Sequence, residues 1–309
     1  MNTTAVTEPS VLPSSELARL DARFPARQVP VGSGAVVSVR ECGSGPALVC
    51  LHGIGSGAAS WLDTALALEA DARVIAWDAP GYGASTPLSP AVPQATDYAA
   101  RLHALLDALQ IERCVLVGHS LGALTAAAAS RPVMGGHERI ARLVLISPAR
   151  GYGTPERAVQ GDRVRTERIG MLEQIGIAGM ASKRSGRLLS DDASETAREW
   201  VRWNMSQLCD HGYRQAVELL CGDDLIAYLP PAMPVQVCCG EADVVTPPAA
   251  CAEVADGCGV PLALLPGAGH ACYVEQPGAV STLLRDALRA AFRRVASITD
   301  DKNTQREAS

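Results

Sequence analysis

Short apolar runs recur along the chain and alternate with stretches in which apolar residues return every three or four positions. The apolar runs predict strands at Ala35–Arg40, Ala47–Leu51, Arg73–Trp77, Cys114–Val117, Leu143–Ser147, Val235–Cys239 and Val260–Leu265. The stretches between them predict helices at Ser60–Glu69, Thr96–Leu109, Leu121–Arg131, Pro248–Ala255 and Val280–Arg294. Strands that are apolar on both faces and are separated by helices indicate a mostly parallel sheet with helices on both sides. The sequence therefore predicts an α/β fold.

The alternation is interrupted between Gly151 and Pro231. This stretch contains no clear strand, is richer in Arg and Glu, and has helical patterns at Glu167–Ile175, Ala193–Gln207 and Tyr213–Leu220. Because it is too long for a connection, we interpret residues 151–231 as a helical subdomain inserted into a sheet domain formed by residues 28–150 and 232–294. Residues 1–27 are expected to be a loosely held extension and residues 295–309 a flexible tail.

Charge and composition exclude several classes of partner. The chain has 27 Lys and Arg against 33 Asp and Glu, a net charge of −6, and no basic cluster that would suit a nucleic acid. No run approaches the roughly 20 apolar residues of a membrane span, and Met1–Ser15 lacks the pattern of a signal peptide. The ten cysteines form no C-x-x-C pair and are expected to be reduced. We expect a cytoplasmic monomer or homodimer that acts on a small molecule, without a nucleic-acid or membrane partner.

The strongest chemical signal is Gly118-His119-Ser120-Leu121-Gly122, a G-x-S-x-G motif between a predicted strand and a predicted helix. A sharp strand-to-helix turn at this point raises the serine hydroxyl above the edge of the sheet, and the glycines keep side chains out of the turn. The N–H of Leu121 at the start of the helix then points toward a developing oxyanion. Ser120 is therefore the candidate nucleophile.

A serine nucleophile needs a base, and the base needs an acid that orients it. Asp243 follows the strand Val235–Cys239, and His270 follows the last predicted strand, so both belong to the same edge of the sheet as Ser120. Glu241 competes with Asp243, but Asp243 stands where the loop turns. Among the other histidines, His119 is expected to have a packing or supporting role.

A second oxyanion donor is expected from His52-Gly53-Ile54-Gly55, after the strand Ala47–Leu51. A loop flanked by glycines can turn the N–H of Ile54 toward Ser120. His52 itself is expected to be structural, and the Gly- and Pro-containing run 78–85 is expected to shape the neighbouring rim.

Together these motifs resemble the α/β-hydrolase superfamily over about residues 35–293. The resemblance is to its capped group of ester and lactone hydrolases, meta-cleavage-product hydrolases and cofactor-free haloperoxidases. It rests on H-G-x-G at 52–55, D-x-P-G-Y-G-x-S at 78–85, G-H-S-L-G at 118–122, G-x-x-D at 240–243 and G-H at 269–270. It implies that residues 151–231 form a lid over the pocket and that no cofactor or metal takes part.

The resemblance implies a serine hydrolase that cleaves a small ester, lactone or activated amide through an acyl-enzyme. Three alternatives remain open: a carbon–carbon hydrolase of the meta-cleavage type, a cofactor-free perhydrolase, and a receptor that binds a ligand without turnover. Carbon–carbon hydrolases usually have Asn and Met beside the nucleophile, where this sequence has His119 and Leu121.

The substrate pocket is expected to include a set of large side chains, namely Ile54, Trp61, Leu124, Trp200, Trp203 and Met205. Trp200 and Trp203 share one helical face and are equally compatible with packing of the lid onto the core. Cys272, two residues after His270, lies either at the mouth of the pocket or buried and inert against the sheet.

Overall fold

The strands of the computed structural model, which describes residues 12–293, form one sheet of eight strands. In chain order they are β1 (Ala26–Pro30), β2 (Val36–Cys42), β3 (Ala47–Leu51), β4 (Arg73–Trp77), β5 (Cys114–His119), β6 (Ile140–Ile146), β7 (Val235–Gly240) and β8 (Leu262–Leu265). Their order across the sheet is β1-β2-β4-β3-β5-β6-β7-β8. Strands β3 to β8 run parallel, while β2 is antiparallel to both β1 and β4. The predicted α/β fold is confirmed.

Eleven α-helices accompany the sheet in the described part of the chain. They are α1 (Ser14–Arg23), α2 (Leu62–Leu68), α3 (Ala95–Ala108), α4 (Leu121–Ala129), α5 (Gly136–Arg139), α6 (Ala158–Arg184), α7 (Glu195–Ser206), α8 (Asp210–Gly222), α9 (Pro248–Cys258), α10 (Cys272–Glu275) and α11 (Pro277–Phe292).

Two apolar clusters cover the two faces of the sheet. Val49 packs into one cluster, with apolar side chains of α3, α4 and α9, whereas its neighbours Leu48 and Cys50 pack into the other, with side chains of α1, α2 and α11. Successive strand residues point to opposite faces, so a strand that is covered on both sides must be apolar throughout, as β3 is.

The N-terminal segment departs from the expectation of a loosely held extension. Residues 14–23 form α1, whose Leu20 is buried, and Phe24 behind it is fully buried. Residues 26–30 form β1, which pairs with β2 in the register Ala26↔Arg40. The expectation was wrong for residues 12–27 because this segment forms backbone hydrogen bonds with β2 and buries apolar side chains. Residues 1–11 and the predicted tail at 295–309 lie outside the described residues.

The helical insert (residues 151–231) contains α6, α7 and α8, as its periodicity predicts. It is fixed to the sheet domain beside His270, where the N–H of Ala271 donates to the carbonyl of Leu188 at 2.7 Å. At Gly269, a Cβ atom would lie 2.5 Å from the Leu189 carbonyl carbon, so only glycine allows this approach. Of the helices within residues 12–293, none combines the length and the apolar character that crossing a bilayer would require.

Candidate active site

Ser120 occupies the turn between β5 and α4 with a backbone conformation that residues other than glycine rarely adopt. Its φ is 53° and its ψ is −117°, outside the common regions for an L-residue. The turn is tight: a Cβ atom on Gly118 would lie 2.6 Å from Ala123 Cα, and one on Gly122 would lie 2.5 Å from the Leu51 carbonyl oxygen. The two glycines of the motif therefore permit a turn that presents Ser120 at the carboxyl end of the sheet.

Asp243 and His270 meet at the same edge of the sheet, although 27 residues separate them. The Nδ1 atom of His270 lies 2.8 Å from Asp243 Oδ2, and both side chains are buried. The other carboxylate oxygen, Oδ1, accepts the backbone N–H groups of Val245 and Thr246 at 2.7 and 2.9 Å. The backbone of the loop after β7 thus binds the Asp243 carboxylate and orients it toward His270.

The electrostatics of this pair fix the proton on the imidazole. Burial acts to raise the pKa of Asp243, but the hydrogen bond and charge of His270, with the two backbone N–H groups, outweigh it and lower the pKa to about 2. Asp243 is therefore ionised at neutral pH and can only accept. His270 Nδ1 donates to it, so when the ring carries a single proton its Nε2 is the proton acceptor.

Ser120 and His270 line one cavity of about 390 Å³, and the helical insert forms its opposite wall. Within residues 12–293 no hydrogen bond joins Ser120 Oγ to His270 Nε2. Such bonds are commonly long until a substrate is bound. The cavity therefore contains the candidate nucleophile and base, and Asp243, the orienting acid, lies behind His270.

The two expected oxyanion donors also lie at this cavity. Ile54 and Leu121 both line it, and in the described part of the chain neither backbone N–H donates a hydrogen bond. Gly53 packs directly on Ser120, since a Cβ atom there would lie 2.9 Å from Ser120 Cβ. This contact places the loop after β3 over the candidate nucleophile.

Thr246 belongs to the site although the sequence interpretation did not single it out. Its Oγ1 lies 2.9 Å from Asp243 Oδ2, 3.1 Å from His270 Nδ1 and 3.0 Å from the Ser147 carbonyl oxygen. A hydroxyl residue three positions after an Asp in a turn often bonds to that carboxylate, so the sequence held a signal for it.

His119 supports the histidine loop from below. Its Nε2 lies 2.9 Å from the carbonyl oxygen of His270, to which it donates. Burial, and next the charge of His270, lower the pKa of His119 to about 3, so the ring stays neutral. His52 is also structural: its Nε2 accepts the N–H of Ala79 at 3.0 Å.

The structure corrects most of the expected substrate pocket. Ile54 and Met205 line the cavity, whereas Trp61, Leu124, Trp200 and Trp203 do not. Trp61 is fully buried and stacks on Tyr273 with 4.1 Å between ring centroids, and Leu124 is buried inside α4. Trp200 and Trp203 stack on each other at 5.3 Å and pack α7 onto the core, which was the alternative left open for them.

Cys272 is fully buried and does not line the cavity. Burial raises the pKa of its thiol well above the ordinary value, which keeps it protonated and unreactive. The position at the pocket mouth was therefore wrong, and the buried alternative is the one observed.

Comparison with known proteins places this chain in a family. The model of the alpha/beta hydrolase family matches residues 48–283, so the chain belongs to that family and is an enzyme, a hydrolase.

Relatives of known description vary in the reaction that their names give. A putative carbamate hydrolase, RutD, of Stutzerimonas stutzeri is 28% identical over 268 residues, which is 82% of this chain and 95% of that protein. A 2-hydroxy-6-oxo-6-phenylhexa-2,4-dienoate hydrolase of Comamonas testosteroni is 34% identical over 122 residues, 38% of this chain and 41% of that protein. Among solved structures, the enol-lactonase of Burkholderia xenovorans superimposes with a TM-score of 0.73 at 24% identity, covering 84% of this chain and 99% of that one. The last similarity supports the fold alone.

Proposed function

We propose that the protein is a serine hydrolase that cleaves a small carboxylic ester, lactone or activated amide through an acyl-enzyme. Ser120 Oγ attacks the carbonyl carbon while its proton passes to His270 Nε2. The N–H groups of Ile54 and Leu121 stabilise the negative oxygen of the tetrahedral intermediate. When the intermediate collapses, the leaving group takes the proton from His270.

The second half of the cycle uses the same groups. Water gives a proton to His270 Nε2 and attacks the acyl carbon, and the new intermediate breaks to release the acid and restore the Ser120 hydroxyl. Asp243 remains ionised in both halves and accepts the hydrogen bond from the Nδ1–H of His270. The residues that form the cavity, rather than the triad, select the acyl and leaving groups.

One observation carries this proposal: His270, which is buried and paired with Asp243 at 2.8 Å, borders the same cavity as a serine held at φ 53°. Strain at a residue that faces a cavity is typical of functional sites. A turn that served only to connect β5 to α4 would have no need for it.

The proposal is tested by hydrolysis of para-nitrophenyl acetate and butanoate. Ser120→Ala should lower kcat by about three orders of magnitude or more, and His270→Ala should be about as damaging because triad members act as a unit. Ser130→Ala is the matched control, since Ser130 is buried at the other end of α4 and does not line the cavity. Wild-type rates in Ser120→Ala would overturn the assignment of the nucleophile.

Carbon–carbon hydrolysis is a second candidate, because the relative from Comamonas testosteroni is named for a dienoate substrate. An assay of the wild-type enzyme with that dienoate separates the two reactions. Turnover of the dienoate at a higher kcat/KM than any simple ester would favour carbon–carbon cleavage.

A further inference from the structure

The cavity that contains Ser120 has a strongly basic wall, although the protein as a whole carries a net charge of −6. Among its described lining residues are five arginines and one acidic residue, Glu167; the arginines are Arg150, Arg157, Arg168, Arg184 and Arg187. Arg157, Arg168, Arg184 and Arg187 belong to the helical insert, and Arg150 belongs to the segment that leads into it.

Two of these arginines already interact with other side chains of the protein. Arg150 forms ion pairs with Asp224 and Glu253, at 3.2 and 2.8 Å. The guanidinium of Arg157 lies 4.9 Å from the ring centroid of Tyr152. Their positions are explained by the fold.

The other three have no carboxylate partner within residues 12–293. Arg184 and Arg187 form neither an ion pair nor a side-chain hydrogen bond there, and Arg168 donates one bond, to the Tyr213 hydroxyl at 3.1 Å. Glu167 is exposed, and among the described residues it forms no ion pair with any of these three arginines. Burial, and next the charge of Arg168, lower the pKa of Arg184, so these cations are held together at an electrostatic cost.

A break in α6 brings the three arginines to one wall. Gly176 lies inside this helix with φ 63° and ψ −176°, a non-helical conformation that only glycine adopts readily. Arg168 precedes the break, while Arg184 and Arg187 follow it. A straight helix would carry residues 168 and 184 about 24 Å apart along its axis, at 1.5 Å per residue. The break folds the two limbs so that all three line the same cavity.

We propose that the substrate carries an ionised carboxylate, separate from the scissile carbonyl, which Arg168, Arg184 and Arg187 bind. This inference rests on the proposed serine hydrolase function and narrows it to esters, lactones or amides of a dicarboxylic acid. Planar guanidinium groups match the two oxygens of a carboxylate, and a partly buried cavity strengthens such charge-assisted bonds. A bound carboxylate would also relieve the mutual repulsion of the three cations.

The test compares charged with neutral esters of equal chain length. The mono-para-nitrophenyl esters of succinic, glutaric and adipic acids are paired with para-nitrophenyl butanoate, pentanoate and hexanoate. In the wild-type enzyme, kcat/KM for the best charged ester should be about 10 or more times that of its neutral partner. One charge-assisted hydrogen bond contributes a factor of about this size. Arg184→Gln should lower that ratio about 10-fold.

Lys183→Gln is the matched control, because Lys183 is an exposed cation adjacent in sequence that does not line the cavity. It should leave the ratio as in the wild type. A measurement on the wild-type enzyme covers the case in which Arg184→Gln fails to fold: glutarate should inhibit hydrolysis of the neutral butanoate ester competitively and more strongly than inorganic phosphate.

The possible failures are distinguishable. Hydrolysis of neutral esters with no preference for charged ones, or a preference lost equally in Lys183→Gln, would overturn the carboxylate site and leave the serine hydrolase intact. Stronger inhibition by phosphate than by glutarate would overturn the choice of a carboxylate. Hydrolysis of neither ester series, with Ser120 inert, would overturn the proposed function itself.

Discussion

Gly53 and Ser120 are packed so closely that a single added carbon would separate them. A Cβ atom on Gly53 would lie 2.9 Å from Ser120 Cβ and 3.3 Å from Ser120 Oγ. The loop that is expected to supply one oxyanion donor is thus in van der Waals contact with the candidate nucleophile. The distance between Ile54 N–H and Ser120 Oγ depends on this contact.

Gly53→Ala should therefore damage catalysis more than stability. The methyl group forces Ser120 or the loop to move, and a displacement near 1 Å in an active site costs about 100-fold in rate. We expect kcat for para-nitrophenyl acetate to fall about 10- to 100-fold, with KM changed less. Gly55→Ala is the control from the same loop, since its new methyl group would meet the flexible end of Met205 at 3.0 Å. Equal losses in the two variants would contradict the assigned role of the Gly53 contact.

The strain at Ser120 should be visible in stability. A non-glycine residue in so sparse a backbone region costs on the order of 1–3 kcal/mol, whereas glycine costs about 0.5–1 kcal/mol in the entropy of the unfolded chain. Ser120→Gly should therefore have a free energy of unfolding about 1 kcal/mol higher than that of Ser120→Ala. Chemical denaturation of the two inactive variants measures the difference. A Gly variant less stable than the Ala variant would show that the turn is unstrained.

The depressed pKa of Asp243 predicts a defined pH dependence of stability. Its pKa is about 2 in the folded protein against an ordinary value of 3.8, so the ionised form stabilises the fold fully above about pH 4. This contribution should decrease as the pH falls from about 4 and should be lost below about 2. The measured quantity is the free energy of unfolding of the wild type minus that of Asp243→Asn.

Taking this difference removes the carboxylates that the two proteins share. Asp243→Asn is a close isostere, and the backbone N–H groups of Val245 and Thr246 still have an oxygen to bond. A difference in the free energy of unfolding that stayed constant from pH 6 to pH 2 would contradict the lowered pKa of Asp243.

Met205, rather than the tryptophans of α7, should control acyl-chain length. Met205 lines the cavity, and Trp203 packs away from it on the same helix. Met205→Ala should raise the ratio of kcat/KM for hexanoate to that for acetate esters about 5-fold, since it lengthens the space for the acyl chain. Trp203→Ala should change stability and leave that ratio unaltered. A shift of the ratio in Trp203→Ala alone would reverse these roles.

The sequence predicted the sheet and the positions of Ser120, Asp243 and His270 because both are encoded locally. Parallel strands buried on both faces must be apolar throughout, and a strand-to-helix turn with small residues has a recognisable spacing. Chain order then assigned the three side chains to one edge, where the structure brings them together.

The errors concern contacts that depend on distant parts of the chain. Whether residues 26–30 form a strand depends on pairing with β2, which a polar, Pro-containing segment does not reveal. Which face of α7 meets the cavity depends on how the insert docks, so Trp200 and Trp203 were misplaced while Met205 was not. Arg168, Arg184 and Arg187 were visible only as part of an Arg-rich stretch, because the break at Gly176 determines that these three converge.

The identity of the residue that reacts covalently tests the proposed mechanism most directly. The wild-type enzyme is treated with a fluorophosphonate, and the modified peptide is identified by mass spectrometry while ester hydrolysis is followed in parallel. We predict one adduct per chain, on Ser120, formed in step with the loss of activity and absent in both Ser120→Ala and His270→Ala. An adduct on another residue, or hydrolysis that persists after Ser120 is fully modified, would contradict the assignment of Ser120 as the nucleophile.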